Sequence, residues 1–247
     1  MTTSTTKINK IAIVILWIVL WQLAAMAIDE EMLFASPSSV AITFSKLCVT
    51  LDFWKTILFS VLRVIGGFVI GFVLTTTLAV LSKRFSFLRA FLSPAITVIK
   101  ATPVASFIIL ALFFIGKDLV PLFIGTLMVA PIVWNNVLGG LDAVDVKLLE
   151  MATVYDMPFA KKVRHIYLPS IRPYILSAVG SGLGLCWKAG IAAEVICRAT
   201  PSIGNYIWET KYYFETAEMF AWTATVIVLS VIFDKLLLKL FKGGAKK

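Results

Sequence analysis

The chain has 247 residues, of which 60% are apolar and 15% charged, and its Lys and Arg outnumber Asp and Glu by 23 to 14, for a net charge of +9. Soluble domains run at about 45–50% apolar and about 25% charged, so this composition describes a protein that crosses a membrane several times. There is one histidine and three scattered cysteines, with no CxxC, HExxH or GxxxxGK[ST]. That inventory excludes a disulfide scaffold, a histidine-rich metal enzyme and an ATPase carrying its own nucleotide loop.

In chain order, six apolar stretches are predicted to span the membrane as helices: Ile11–Ile28, Ile57–Leu81, Phe91–Gly116, Leu119–Leu141, Tyr174–Cys197 and Thr216–Leu238. Lys7, Lys10 and Ala25-Met26-Ala27 give the first stretch some likeness to a signal peptide. Its apolar run is longer than an ordinary h-region, so it is expected to be retained as a span. Between the first two spans, Ser36-Pro37 has the composition of a helix cap followed by a first-turn proline, which predicts a short surface helix.

Basic residues divide unevenly between the two faces. One receives Lys7, Lys10, Lys83, Arg84, Arg89, Lys147, Lys161, Lys162, Arg164, Arg172, Lys235, Lys239, Lys242, Lys246 and Lys247, and the other only Lys46, Lys55, Lys117, Arg198 and Lys211. The positive-inside bias predicts that both termini are cytoplasmic. Anionic membrane lipid, rather than nucleic acid, then accounts for the net charge. On the opposite face, Tyr206, Trp208, Tyr212 and Tyr213 form an aromatic cluster of the kind that anchors a protein at the interface.

The segment from Gly139 to Pro173 is too short for a catalytic domain and too long for a turn. It carries Glu150-Met151-Ala152, then three residues, Asp156, nine residues, Ile166, Tyr167 and Leu168-Pro169. This spacing resembles the loop motif of permease subunits of ABC importers, Glu-Ala-Ala, three residues, Gly, nine residues, Ile, one residue, Leu-Pro. Met151 and Asp156 depart from it. The likeness runs over about residues 56–240 and is nearest the nitrate, sulfonate and taurine group. It is carried there by Arg63-Val64-Ile65-Gly66-Gly67-Phe68, Lys100-Ala101-Thr102-Pro103, Cys186-Trp187-Lys188, Ala193-Glu194, Ser202-Ile203-Gly204 and Ile207-Trp208.

The resemblance implies an all-α permease domain over residues 1–247 with a coupling loop at about 142–172. The implied partners are a second copy of the chain, two ABC ATPase subunits holding ATP and Mg, and an external solute-binding protein in a bacterial cytoplasmic membrane. The chain itself needs no cofactor or metal. A short helix across the membrane plane can dock in a partner's cleft as a rigid lever. Leu148, Leu149, Ala152 and Tyr155 have the spacing for its docking face, Glu150 is placed near its dipole-positive start, and Pro158 helps to end it. The motif glycine supplies a left-handed turn, a conformation that Asp156 also tolerates.

Arg63, Lys100, Lys188 and Glu194 are costly inside spans, so they should face an interface or a watered path. With Thr102 and Trp187 they are the candidate translocation residues, in either a pairing or a solute-contact role. Lys188 and Glu194, six residues apart on one helix, point about 120° away from each other, so any ion partner of Glu194 comes from another helix. Gly67/Gly71 and Gly180/Gly184 have the spacing for close helix packing. Pro94, Pro103, Pro121 and Pro131 can bend helices around a cavity, and His165 is expected to be a surface or ATPase-contact residue. A secondary transporter or channel, the competing class, would show paired broken helices in two related halves. None is apparent in the sequence. Sulfonates, taurine, nitrate, bicarbonate and vitamin precursors all fit as solutes.

Overall fold

The computed structural model describes the backbone of residues 2–243 and the side chains of residues 12–236 and 239. Expectations placed on Lys7, Lys10, Leu238, Lys242, Lys246 and Lys247 fall outside the described side chains. The described residues form helices without a strand. They are α1 (Thr2–Ile28), α2 (Pro37–Cys48), α3 (Leu51–Arg84), α4 (Ser86–Ala101), α5 (Val104–Phe114), α6 (Val120–Asp142), α7 (Val146–Val154), α8 (Phe159–Lys162), α9 (Leu168–Cys197), α10 (Ile203–Tyr212) and α11 (Thr216–Gly243).

The axis of the molecule is α6, which lies between α3 and α9. Half of its most apolar stretch is buried, against 22% for α3 and for α11. Missing side chains allow this approach. A Cβ on Gly67 would lie 2.6 Å from the Leu122 carbonyl oxygen, one on Gly71 2.8 Å from that of Thr126, and one on Gly125 2.8 Å from Cys186 Sγ. The Thr126 hydroxyl donates to the Gly67 carbonyl at 3.1 Å across the same seam. Gly180 and Gly184, by contrast, meet nothing within 4 Å, so their spacing serves no packing inside the described chain. Val64, Val129, Val133, Trp134, Val137, Cys186 and Trp187 fill the core between these helices.

Among the described residues, four helices are long and apolar enough to cross a membrane: α3, α6, the continuous run Phe159–Cys197, and Thr216–Leu236 of α11. The expected span Phe91–Gly116 is corrected, because it is two helices, α4 and α5, bent by 109°. Thr102 precedes Pro103, and the proline ring drives its predecessor out of the helical region, here to ψ 135°. Counted together, the pair makes a fifth span, and Ala12–Ile28 adds a shorter apolar helix.

The helix that carries the span expected over Tyr174–Cys197 begins earlier, at Phe159, and runs through Pro169. A π-helical turn at Val163–Tyr167 widens the helix just before the proline. Proline has no N–H and its ring crowds the carbonyl four residues back, and a wider turn relieves both problems. The short helix expected after Ser36 is present as α2, with Ser36 Oγ accepting from the Ser39 N–H at 3.3 Å and Pro37 in its first turn.

Candidate functional site

At one end of the bundle, α7 is a nine-residue helix whose Asp145 cap accepts from the Lys147 N–H at 2.9 Å. It ends in a double backbone clasp. The Met157 N–H donates to the Ala152 carbonyl at 2.9 Å and the Asp156 N–H to that of Thr153 at 3.1 Å, with Asp156 left-handed at φ 47°. This C-terminal cap calls for a left-handed residue at the position Asp156 fills, which is where the motif places glycine. Glu150 is exposed and is the fifth residue of α7, beyond the first turn in which the helix dipole acts, contrary to the placement expected for it.

The two halves of the motif meet beneath this helix. Ala152, fully buried, and Ile166, 5% exposed, pack with Val144 in a small core that also takes in Leu149, Met157 and Tyr167. The expected docking face is therefore corrected. Ala152 and Leu149 turn toward the chain's own core, while Leu148, Met151 and Tyr155 form the outward apolar ridge, with Tyr155 77% exposed. Leu168 and Pro169 are exposed on the first turn of α9. His165 is exposed, its Nδ1 lying 3.1 Å from the Lys161 carbonyl oxygen, and no cluster of metal-ligating side chains occurs among the described residues.

Partway along the bundle, the break between α4 and α5 opens a cleft of about 470 Å³ against α6 and α9. It is lined by Lys100, Thr102, Asn135 and Asn136 together with Met128 and Leu185, among others, and by no acidic side chain. Lys188 is exposed one turn of α9 beyond Leu185.

The other candidate path residues are packed inside the chain. Trp187 is 1% exposed, donates from Nε1 to the Val226 carbonyl at 3.2 Å, and meets Phe233 edge-on at 5.0 Å. Glu194 is fully buried and lies 3.6 Å from Arg63. It accepts from Ser60 Oγ at 2.8 Å and from the Gly204 N–H at 3.3 Å. Arg63 donates onward to the carbonyls of Pro201 at 2.6 Å and Thr200 at 3.3 Å, while Asp118 accepts from the Thr200 N–H at 2.8 Å. This network ties α3, α9 and the connection into α10 together. The aromatic cluster there divides, with Trp208 stacked on Tyr212 at 5.4 Å and Tyr213 edge-on to Tyr212, Tyr206 stacked instead on Trp222 at 4.8 Å, and Arg198 over Trp208 at 3.8 Å.

Compared with known proteins, residues 67–241 match the model of the binding-protein-dependent transport system inner membrane component. The chain belongs to this family. The putative aliphatic sulfonates transport permease protein of Bacillus subtilis is 23% identical over 87% of this chain and 77% of its own length. The corresponding Escherichia coli protein is 27% identical over 93% and 84%. The bicarbonate transport system permease protein of Synechococcus elongatus is 28% identical over 64% and 56%. Among solved structures, the inward-facing methionine ABC transporter MetNI shares the fold at TM-score 0.55 and 20% identity, covering 76% of this chain and 89% of that one. This permease is thus a multi-pass membrane subunit of an ABC importer. Its relatives are permeases rather than enzymes in their own right.

Sequence reading of the permease missed Asn135 and Asn136. Two adjacent amides inside an apolar span were the available signal, since each is costly there without a partner or water. The outward ridge of α7 was also missed in part, because period alone does not say which of two apolar stripes faces the chain's own core.

Proposed function

We propose that this permease forms, as a pair of identical copies, the path by which a small anionic solute enters the cell. An external binding protein delivers the solute, and two ABC ATPase subunits, which hold ATP and Mg, drive the transport. In this reading the chain crosses six times, counting Ala12–Ile28 and the bent pair α4–α5, and the excess of Lys and Arg on one face argues for a cytoplasmic side that holds both termini and α7. The observation that carries this reading is the Leu148–Met151–Tyr155 ridge. It is an exposed apolar face on a short helix fixed by its own small core, in a chain without a nucleotide loop. Glu150, beside the ridge, offers a carboxylate to basic partner residues.

The cleft at the α4–α5 break supports an anionic solute. Lys100 supplies charge and the amides of Asn135 and Asn136 supply donors, while the Thr102 hydroxyl is committed to the Val98 carbonyl at 2.8 Å, and no acid opposes them. Lys188 extends the cationic surface along α9, and the relatives named for sulfonate and bicarbonate transport fit the same chemistry. Arg63 and Glu194 brace the bundle instead of meeting solute. A channel or secondary transporter acting without an ATPase has less support, since the bent pair α4–α5 has no counterpart among the described residues.

The test is uptake of a labelled sulfonate and of bicarbonate by reconstituted complexes matched for assembly and ATPase rate. Lys100→Met and Lys188→Met are expected to lower uptake by about tenfold while hydrolysis continues, and Lys188→Arg to be milder. Transport by both Met variants at the parent rate would remove the anionic-solute reading. Uptake by the chain without any ATPase would remove the subunit reading.

A further inference from the structure

A second cleft, of about 520 Å³, opens at the α7 end between the last turns of α3 and the run from α8 into α9. Its walls include Val80, Tyr167, Leu168 and Ile171, its rim carries Lys83 and Arg84, and no acidic side chain lines it. The two rim cations differ. Lys83 donates to Asp142 at 2.6 Å and Arg89 to the other oxygen of the same carboxylate at 3.0 Å, whereas Arg84 is exposed and has no ion pair or hydrogen bond among the described residues. The apolar walls are open as well, with Val80 47%, Leu168 50% and Phe159 76% exposed.

The position in the fold specifies the occupant. On α3, the apolar surface of Leu74, Val80 and Leu81 gives way within one turn to Lys83 and Arg84, where the helix ends. An apolar helix surface that ends in two cations marks the level of lipid headgroups. A cleft that is apolar along its length and cationic at that level complements a molecule with an anionic head and a hydrocarbon tail.

We propose that this cleft seats one anionic phospholipid, its phosphate on the guanidinium of Arg84 and one acyl chain along Val80, Leu168 and Ile171. A guanidinium matches phosphate with two parallel donors, which gives a preference over zwitterionic lipid that an apolar groove alone lacks. Tyr167 lies both in the wall of this cleft and against the small core beneath α7, so the bound lipid braces the segment that carries the docking helix. The inference needs only that the chain spans a membrane and is independent of the transported solute.

Native mass spectrometry of the full complex in mild detergent, titrated with phosphatidylglycerol and with phosphatidylcholine of the same chains, tests it. The parent is expected to retain phosphatidylglycerol at one equivalent per permease copy, two per complex, more tightly than phosphatidylcholine. Arg84→Gln lowers the phosphatidylglycerol affinity about fivefold and leaves phosphatidylcholine unchanged, and Leu168→Trp, which fills the cleft, weakens both. Helical signal and melting temperature equal to the parent's verify that the exposed substitutions keep the fold. Equal binding of the two lipids by the parent, or undiminished phosphatidylglycerol binding by Arg84→Gln, overturns the proposal. So does displacement of the lipid by glycerol phosphate at equal concentration, which would reveal a site for free phosphate. Loss of the site whenever the ATPase is bound would assign the cleft to that partner instead.

Discussion

Where α3 and α9 approach α10, Arg63 holds Glu194, Thr200 and Pro201 at 3.6, 3.3 and 2.6 Å, and Gly204 is so close that a Cβ would lie 2.4 Å from that of Glu194. At the α7 end of the same bundle, Tyr155 is 77% and Val154 80% exposed, and Arg84 stands without a partner among the described residues. The first region pairs its charges within one chain, although the buried Glu194 Oε1 faces Arg63 without accepting a hydrogen bond. The second builds a rigid support from Ala152 and Ile166 and then presents apolar and cationic groups that the chain leaves uncovered. A buried network closed within the chain marks a part where the chain supports itself, and the uncovered ridge marks a part where it can meet a partner. Substitutions at the α10 end should therefore cost stability, and those at the α7 end association.

The largest effect is expected for Arg63→Met, which strands the fully buried Glu194 carboxylate. Breaking one side of a buried pair costs about 3–5 kcal/mol, read as a lowered melting temperature of the detergent-solubilised protein. Arg63→Met with Glu194→Leu should recover much of that loss. A double variant as unstable as the single one would mean that Arg63 acts through Thr200 and Pro201 alone.

Next comes Gly204→Ala, whose Cβ meets Glu194 and the backbone nitrogen of Val195 at 2.5 Å. Overpacking of this kind costs about 1–3 kcal/mol. Gly184→Ala, in open space, should be neutral or stabilising by up to about 1 kcal/mol from helix propensity. Similar melting temperatures for the two variants would dissolve the contrast between packed and open glycines.

A smaller effect is expected for Tyr206→Phe, about 1 kcal/mol for a lost hydrogen bond. The Tyr206 hydroxyl donates to Asp52, and that carboxylate, together with burial, pushes the tyrosine up to about 12 from the usual 10. A raised acid favours the protonated form in the folded state. Its contribution is full below pH 10 and is lost as pH rises through about 12. The difference in melting temperature between parent and Tyr206→Phe should accordingly narrow over that window, and a constant gap would place the effect in packing.

The smallest change in stability, within about 0.5 kcal/mol, is expected for Met151→Ala with Tyr155→Ala at the other end. Copurification of the ATPase should nevertheless fall by more than about tenfold. A firmly bound ATPase would show that the ridge is not its docking face.

The Ser36 cap of α2 and the turn at Asp156 were legible because each is settled within four or five residues. The spans α3, α6 and α11 were legible because apolar composition over about 20 residues leaves a helix little alternative in lipid. The break at Thr102 was only half visible, since Pro103 signals a disturbance without giving its 109° angle. Pro169 and Pro158 invite the reading of a loop, yet the chain is helical from Phe159 through Pro169 because one π turn absorbs the misfit. Nothing near Arg63 in the chain names Glu194 as its partner.

By itself, then, the sequence determined that this chain is a helical membrane protein and, through the register from Glu150 to Pro169, which family of permeases it belongs to. Composition and short-range spacing are properties of the chain that no packing alters. The tertiary structure alone decided that Ala152 faces inward while Tyr155 faces out, that Arg63 and Glu194 are bracing, and that Lys100 shares a cleft with Asn135 and Asn136. Those outcomes depend on which helices lie beside one another. Charge pairing and burial are set by separation in space, and the approach of α3, α6 and α9 is fixed by glycines whose missing side chains matter only once a neighbouring backbone lies within 3 Å of where a Cβ would stand.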